Sequence, residues 1–116
     1  MREHAVARFE RAGDVRSVSI VEGDDGVLEV REHLEGPSTL VAYGEDERSL
    51  RVIFAPAAVP GVLGAVGAAG RPSLAAYLTD EKNDVVDLMD LCDARGVAYT
   101  FVGVGPESGV QCRPAL

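Results

Sequence analysis

The sequence predicts one α+β domain, a two-layer sandwich in which a mainly antiparallel sheet, opened by an N-terminal β-meander, carries two helices on one face. Three observations carry that expectation. The first half is a series of short alternating apolar runs separated by turn residues, the second half contains two segments of helical character, and a Val-rich run near the end reads as a final C-terminal strand. A chain of 116 residues buries roughly 65 % of its unfolded surface on folding, so its core needs no staples. With 47 % hydrophobic and 26 % charged residues the composition is that of a globular domain, and the scarcity of aromatics (5 %) leaves the core to Val, Leu, Ala and Ile.

In chain order, residues 5–11 suit either period, because Val6, Ala7 and Phe9 fit a strand or a short helix; a leading strand is expected. Residues 15–21 alternate, with Val18 and Ile20 on one face. A strand over 27–34 follows the hairpin signal Asp25-Gly26. Strands over 38–43, after Gly36-Pro37, and 50–55, after the charged loop 44–48, complete a meander with short connections. Residues 60–69 are read as a helix that starts at Pro60 and stops at Gly70. The short apolar run 73–78 is read as a strand, with a short helix as the alternative. Asn83 is placed as the cap of the helix 84–95, where Val85, Leu88, Met89 and Cys92 fall on one face before Gly96. Residues 97–104 form the last strand, and 105–116 a loose or extended tail. The unit from 73 to 104 is expected to place one parallel pair inside the sheet. No internal boundary is seen, so residues 1–116 form one domain.

Nineteen acidic against eleven basic residues give a net charge of −8 and a pI near 4.6, which opposes approach to a nucleic-acid backbone. Cys92 and Cys112 form no CxxC pair and have no His at zinc spacing, so neither a metal knuckle nor a redox motif is expected, and no metal or cofactor. Residues 1–11 lack the apolar core of a signal peptide. The longest apolar stretch, 55–70, is interrupted by Pro56, Pro60 and glycines and is shorter than the about 18 residues a membrane span needs. A cytoplasmic protein without membrane contact is the expectation.

Gly61, Gly64, Gly67 and Gly70 do not make a phosphate loop, because no GxxxxGK or GxGxxG pattern is present; their period of three instead places small residues along a helix where another backbone can approach. The stretch Val59-Pro60-Gly61-Val62-Leu63-Gly64-Ala65-Val66 through Gly70, following the strand at 50–55, resembles the opening of an ACT-type regulatory domain. The resemblance covers about a sixth of the chain. It implies a small effector bound beside Pro60 and Gly61, usually across a dimer interface. The chain departs from that family between Leu78 and Asp84, where there is no room for the strand expected before the second helix. Gly103, Gly105 and Gly109 lack a following helix and read as an exit from the sheet.

Asp84, Asp87 and Asp90 line the polar side of the second helix, either as a solvated face favoured by the helix dipole or as an acidic docking face for a basic partner. Glu29, Arg31 and His33 share one strand face, and Arg16 and Arg51 sit at comparable polar positions on other strands. Together they make a ladder of exposed ion pairs or an Arg-bearing face for an anionic ligand or carboxylate partner. Of the two histidines, His4 and His33, the latter has acidic neighbours in Glu32 and Glu35, but no serine has an elbow setting and Cys92 belongs to an apolar helix face. The sequence therefore favours a non-catalytic protein-binding or regulatory module, self-associating as a homodimer or taking a protein partner. A small-molecule sensor of ACT-like type is the alternative. A small enzyme using His33 with an acidic neighbour is the second alternative.

Overall fold

The computed structural model describes residues 1–106 and 109–114. Six strands form one sheet in sequence order: β1 (Arg2–Arg11), β2 (Asp14–Glu22), β3 (Leu28–Glu35), β4 (Glu47–Phe54), β5 (Thr100–Gly105) and β6 (Gly109–Arg113). Among the described residues there are also four α-helices, α1 (Pro37–Tyr43), α2 (Val59–Ala68), α3 (Leu74–Thr79) and α4 (Val85–Arg95), with a 3₁₀ turn (Pro56–Ala58) ahead of α2. The result is the expected two-layer α+β sandwich. No helix among the described residues is long and apolar enough to cross a membrane.

Residues 5–11 belong to a strand, as expected. β1 and β2 are joined by Ala12 (φ 52°) and Gly13 (φ 86°), the two positive φ values of the tight hairpin turn whose twist matches the flanking strands. A bulge at Val6, between the pairs Ala5–Ser19 and Ala7–Val18, bends β1 and turns both Val6 and Ala7 onto the core.

Three expectations about segments and strand pairing are corrected. Residues 38–43 are helical, because β4 takes the place beside β3, from Leu28–Phe54 to Glu35–Glu47, and leaves that segment no edge to pair with. Pro37 opens α1, and the Asp14 carboxylate accepts the Ser38 N–H at 2.9 Å from across the hairpin. Residues 73–78 are also helical: Ser73 Oγ accepts the Ala76 N–H at 3.0 Å, and Leu74, Tyr77 and Leu78 form a buried i, i+3, i+4 stripe. No parallel pair exists among the described residues. The chain leaves β4, crosses α2, α3 and α4, and returns antiparallel to β4 as β5. Beyond β5, residues 109–113 of the expected tail are extended and pair with β5 as β6. Glu107, Ser108, Ala115 and Leu116 of that tail lie outside the described residues.

One face of the sheet carries Val18, Ile20, Leu28, Val30, Leu50, Val52 and Phe54. Against it pack Val62 and Val66 of α2, Leu74, Tyr77 and Leu78 of α3, and Val85, Leu88 and Cys92 of α4. The helix over 84–95 thus buries the stripe its spacing predicts. Its cap is Asp84 rather than Asn83, whose amide donates instead to the Tyr77 carbonyl at 3.1 Å. Of the glycines along α2, Gly61 makes the close approach, since a Cβ there would lie 3.3 Å from Val97; Gly64 and Gly67 face open space.

Candidate functional site on the open face of the sheet

Because side chains alternate along a strand, the residues between those of the core form the opposite face. Their register is fixed by the pairing. Arg31 lies directly opposite Ser19 of β2 and Arg51 of β4, and His33 lies opposite Ser17 and Ser49. None of the helical core residues packs against these positions. A cavity of about 600 Å³ opens over this face, lined among others by Arg8, Arg31, Arg51, Glu3 and His33 and by the hydroxyls of Ser17, Ser19 and Ser49.

The electrostatics of the cavity rest on shared carboxylates. Arg31 Nε is 3.2 Å from Glu29 Oε1, and Arg51 Nε is 3.7 Å from the same oxygen. Arg31 also reaches Glu3 at 3.7 Å. The hydrogen bond to Glu29 raises the Arg31 pKa further, against a smaller opposing effect of burial. Two guanidinium groups directly opposite one another repel, and Glu29 alone serves both. For Arg51 it is the sole ion pair among the described residues. Each guanidinium carries five N–H donors in a planar fork, so donors remain for an occupant of the cavity.

At one end of this face four polar side chains converge. Ser49 Oγ is 3.0 Å from His33 Nδ1, while His33 Nε2 is 3.0 Å from Glu35 Oε1 and 3.1 Å from Glu47 Oε1. Glu35 and Glu47 are themselves a directly opposed cross-strand pair. The sequence singled out His33 and Glu35, but Ser49 and Glu47 enter from the neighbouring strand and become visible only once its register is known.

Arg16 does not belong to this face. It shares the parity of Val18 and Ile20, stands opposite Leu34, and points into the helix layer, where its guanidinium lies 4.4 Å from the Phe9 ring centroid and donates to the Glu81 carbonyl at 2.6 Å. There it meets Glu32, only 3 % exposed, at 3.5 Å. The second Glu32 contact is the first N–H of α4, Val85 N, at 3.1 Å. Burial pushes the Glu32 carboxyl up to about 7, against the Arg16 charge and the Val85 hydrogen bond, which both lower it. Arg48, 4 % exposed, is a fully buried cation of this layer, held 3.8 Å from Glu45 and stacked on Tyr43.

The remaining candidates are dispersed. Asp84 and Asp87 cap α4 reciprocally, with Asp87 N–H to Asp84 at 2.9 Å and Asp84 N–H to Asp87 at 3.0 Å, and burial pushes the Asp84 carboxyl up. Asp90 is exposed one turn further on. Pro60 and Gly61 occupy the first turn of α2, on the other side of the sheet from Arg31 and His33. No strand separates α3 from α4. No protein-family model, no curated protein and no solved structure matches this chain.

Proposed function

We propose that the chain is a non-catalytic binding module that receives a carboxylate-bearing segment of a partner protein on the open face of its sheet. The observation that carries this reading is the 600 Å³ cavity lined by Arg8, Arg31 and Arg51 on a chain whose net charge is −8. Arg8 pairs with Glu10 at 2.7 Å, and Arg31 and Arg51 share Glu29 with Glu3 beside Arg31; the N–H donors these pairs leave over suit an anionic occupant, and the planar fork of each guanidinium fits a carboxylate. The serines supply short hydroxyls that bond to backbone as well as to side chains. A second acidic copy of the chain is one such partner. A cytoplasmic setting accords with the two free thiols, of which Cys112 is exposed. The net negative charge disfavours nucleic acid and anionic membrane as partners.

Thermal shift tests this reading. Glu-rich peptides and dicarboxylates are expected to raise the melting midpoint, since a ligand at 100 times its Kd adds about 2.7 kcal/mol of stability, worth roughly 10 °C in a domain near this size. The Arg31→Gln/Arg51→Gln chain should fold and show no such rise. A rise of equal size in that variant, or a response only to basic peptides, contradicts the reading. Light scattering on the unliganded chain separates self-association from capture of a different protein.

A hydrolytic reading has one observation in its favour, the chain of contacts from Ser49 through His33 to Glu35 and Glu47. Against it, Ser49 sits inside β4 with β3 on one side and β5 on the other. The backbone N–H groups around it are therefore committed to the ladders and supply no oxyanion hole. A fluorophosphonate probe that labels Ser49 in the wild type and not in His33→Ala would revive the enzyme reading.

A further inference from the structure

We propose that His33, Glu35 and Glu47 form a binding site for a first-row divalent transition-metal ion. The three ligand atoms, one imidazole nitrogen and two carboxylate oxygens, lie within 4.8 Å of one another, and the nitrogen is 3.0 and 3.1 Å from the two oxygens. Ligands about 2.1 Å from an ion stand roughly 3.0 Å apart when they subtend a right angle and roughly 3.4 Å apart in a tetrahedron. The nitrogen-to-oxygen spacings thus match neighbouring positions around one ion.

Two independent features point the same way. Glu35 and Glu47 are directly opposed on β3 and β4, an arrangement of like charges that destabilises a sheet, and among the described residues both make their ion pairs with His33 alone. A neutral imidazole offers Nε2 at most one proton for the two carboxylates, whereas a divalent ion between the three groups neutralises both. Secondly, Ser49 holds the far side of the ring: its Oγ accepts from Nδ1–H at 3.0 Å in the tautomer that leaves the Nε2 lone pair facing the carboxylates. Metal-binding histidines are oriented by this kind of partner. A mixed nitrogen and carboxylate set suits zinc, iron, cobalt, nickel or manganese better than calcium, which prefers oxygen alone. Three protein ligands leave positions for water or for a carboxylate supplied by another molecule. The inference does not rest on the binding reading above, because Arg31 and Arg51 take no part in it.

Calorimetric titration of the untagged full chain with zinc chloride tests the proposal, with cobalt(II) absorption as a second readout. One ion per chain is expected to bind at sub-millimolar concentration. His33→Ala and Glu47→Gln should each weaken binding by more than about 100-fold, and Ser49→Ala by about 10-fold, the scale of an orienting contact. The visible cobalt band should vanish in His33→Ala. Glu47 is exposed, so Glu47→Gln keeps the fold and isolates the ligand. His4→Ala and Cys112→Ser should leave the affinity unchanged. Absence of binding at roughly 1 mM zinc, or binding that survives His33→Ala but is lost in Cys112→Ser, overturns the proposal.

Discussion

Raising the pH from about 4 to 8 is expected to withdraw about 3 kcal/mol of the stability that Glu32 contributes in its protonated form, and the variant Glu32→Gln is expected not to show that loss. The cause is burial: the carboxyl lies in the helix layer and is pushed from 4.5 to about 7, against the Arg16 charge. In the unfolded chain it ionises near 4.5, so between 4.5 and about 7 the folded chain holds a proton that the unfolded chain has released. Stability therefore falls as pH rises through that window. Asp84 shifts in the same direction, while Asp14 and Asp80, held down by their hydrogen bonds, shift in the other. The difference between wild type and Glu32→Gln in urea unfolding at several pH values isolates the one group. Removing the counter-charge deepens the effect: Arg16→Leu should cost about 3–5 kcal/mol at pH 8, where Glu32 is left as an ion facing a hydrocarbon, and far less at pH 5. A Glu32→Gln curve parallel to that of the wild type would show that the ionised carboxylate is adequately solvated by Arg16 and the start of α4.

Gly36→Ala is expected to destabilise the chain by about 4 kcal/mol, combining backbone strain with overpacking. Gly36 follows β3 and precedes α1 at φ 117° and ψ −173°, a region that residues with a Cβ rarely enter. A methyl there would stand 2.6 Å from the Gly13 carbonyl oxygen and 2.8 Å from Asp14 Cα. Both are backbone atoms of a hairpin turn already held by two positive φ values, so no flexible side chain can swing away. The same turn presents Asp14 to the start of α1, and its displacement would loosen α1 together with the end of β3 that carries Glu35. Gly64→Ala is the matched control. Nothing lies within 4 Å of the added methyl, and the helix-propensity gain of about 0.5–1 kcal/mol should appear undiminished. Urea midpoints measure both, and a Gly36→Ala cost below about 1 kcal/mol would contradict the packing described.

The sequence made the architecture legible where pattern and punctuation agreed. The alternation around Val18 and Ile20, the Asp25-Gly26 turn and the stripe Val85, Leu88, Cys92 each specify a period and an end, and each appears in the fold. It misled where a short apolar run met a competing cap. Ser73 with Leu74, Tyr77 and Leu78 carries a helical spacing that was readable, whereas residues 38–43 carry Leu40 and Val41, both exposed, and the place beside β3 that a strand there would need is taken by β4. Arg16 was legible in principle, since it shares the parity of Val18 and Ile20; its partial burial is matched by the buried Glu32 beside it. The site is the hardest part to read in one dimension. Arg31 and His33 are two residues apart on one strand, but Arg51, Ser49 and Glu47 face them only through the β3–β4 register, and register is a property of the sheet.

The most direct test of the binding reading is an amide-resolved NMR titration of the chain with a Glu-rich peptide. Shift changes that saturate and concentrate at residues 17–19, 31–33 and 49–51 are expected, with the amides of α2 and α4 unmoved. Shift changes confined to the face of α4 that carries Asp87 and Asp90, produced by an Arg-rich peptide and not by the Glu-rich one, would move the interface to the helix layer and contradict the binding reading.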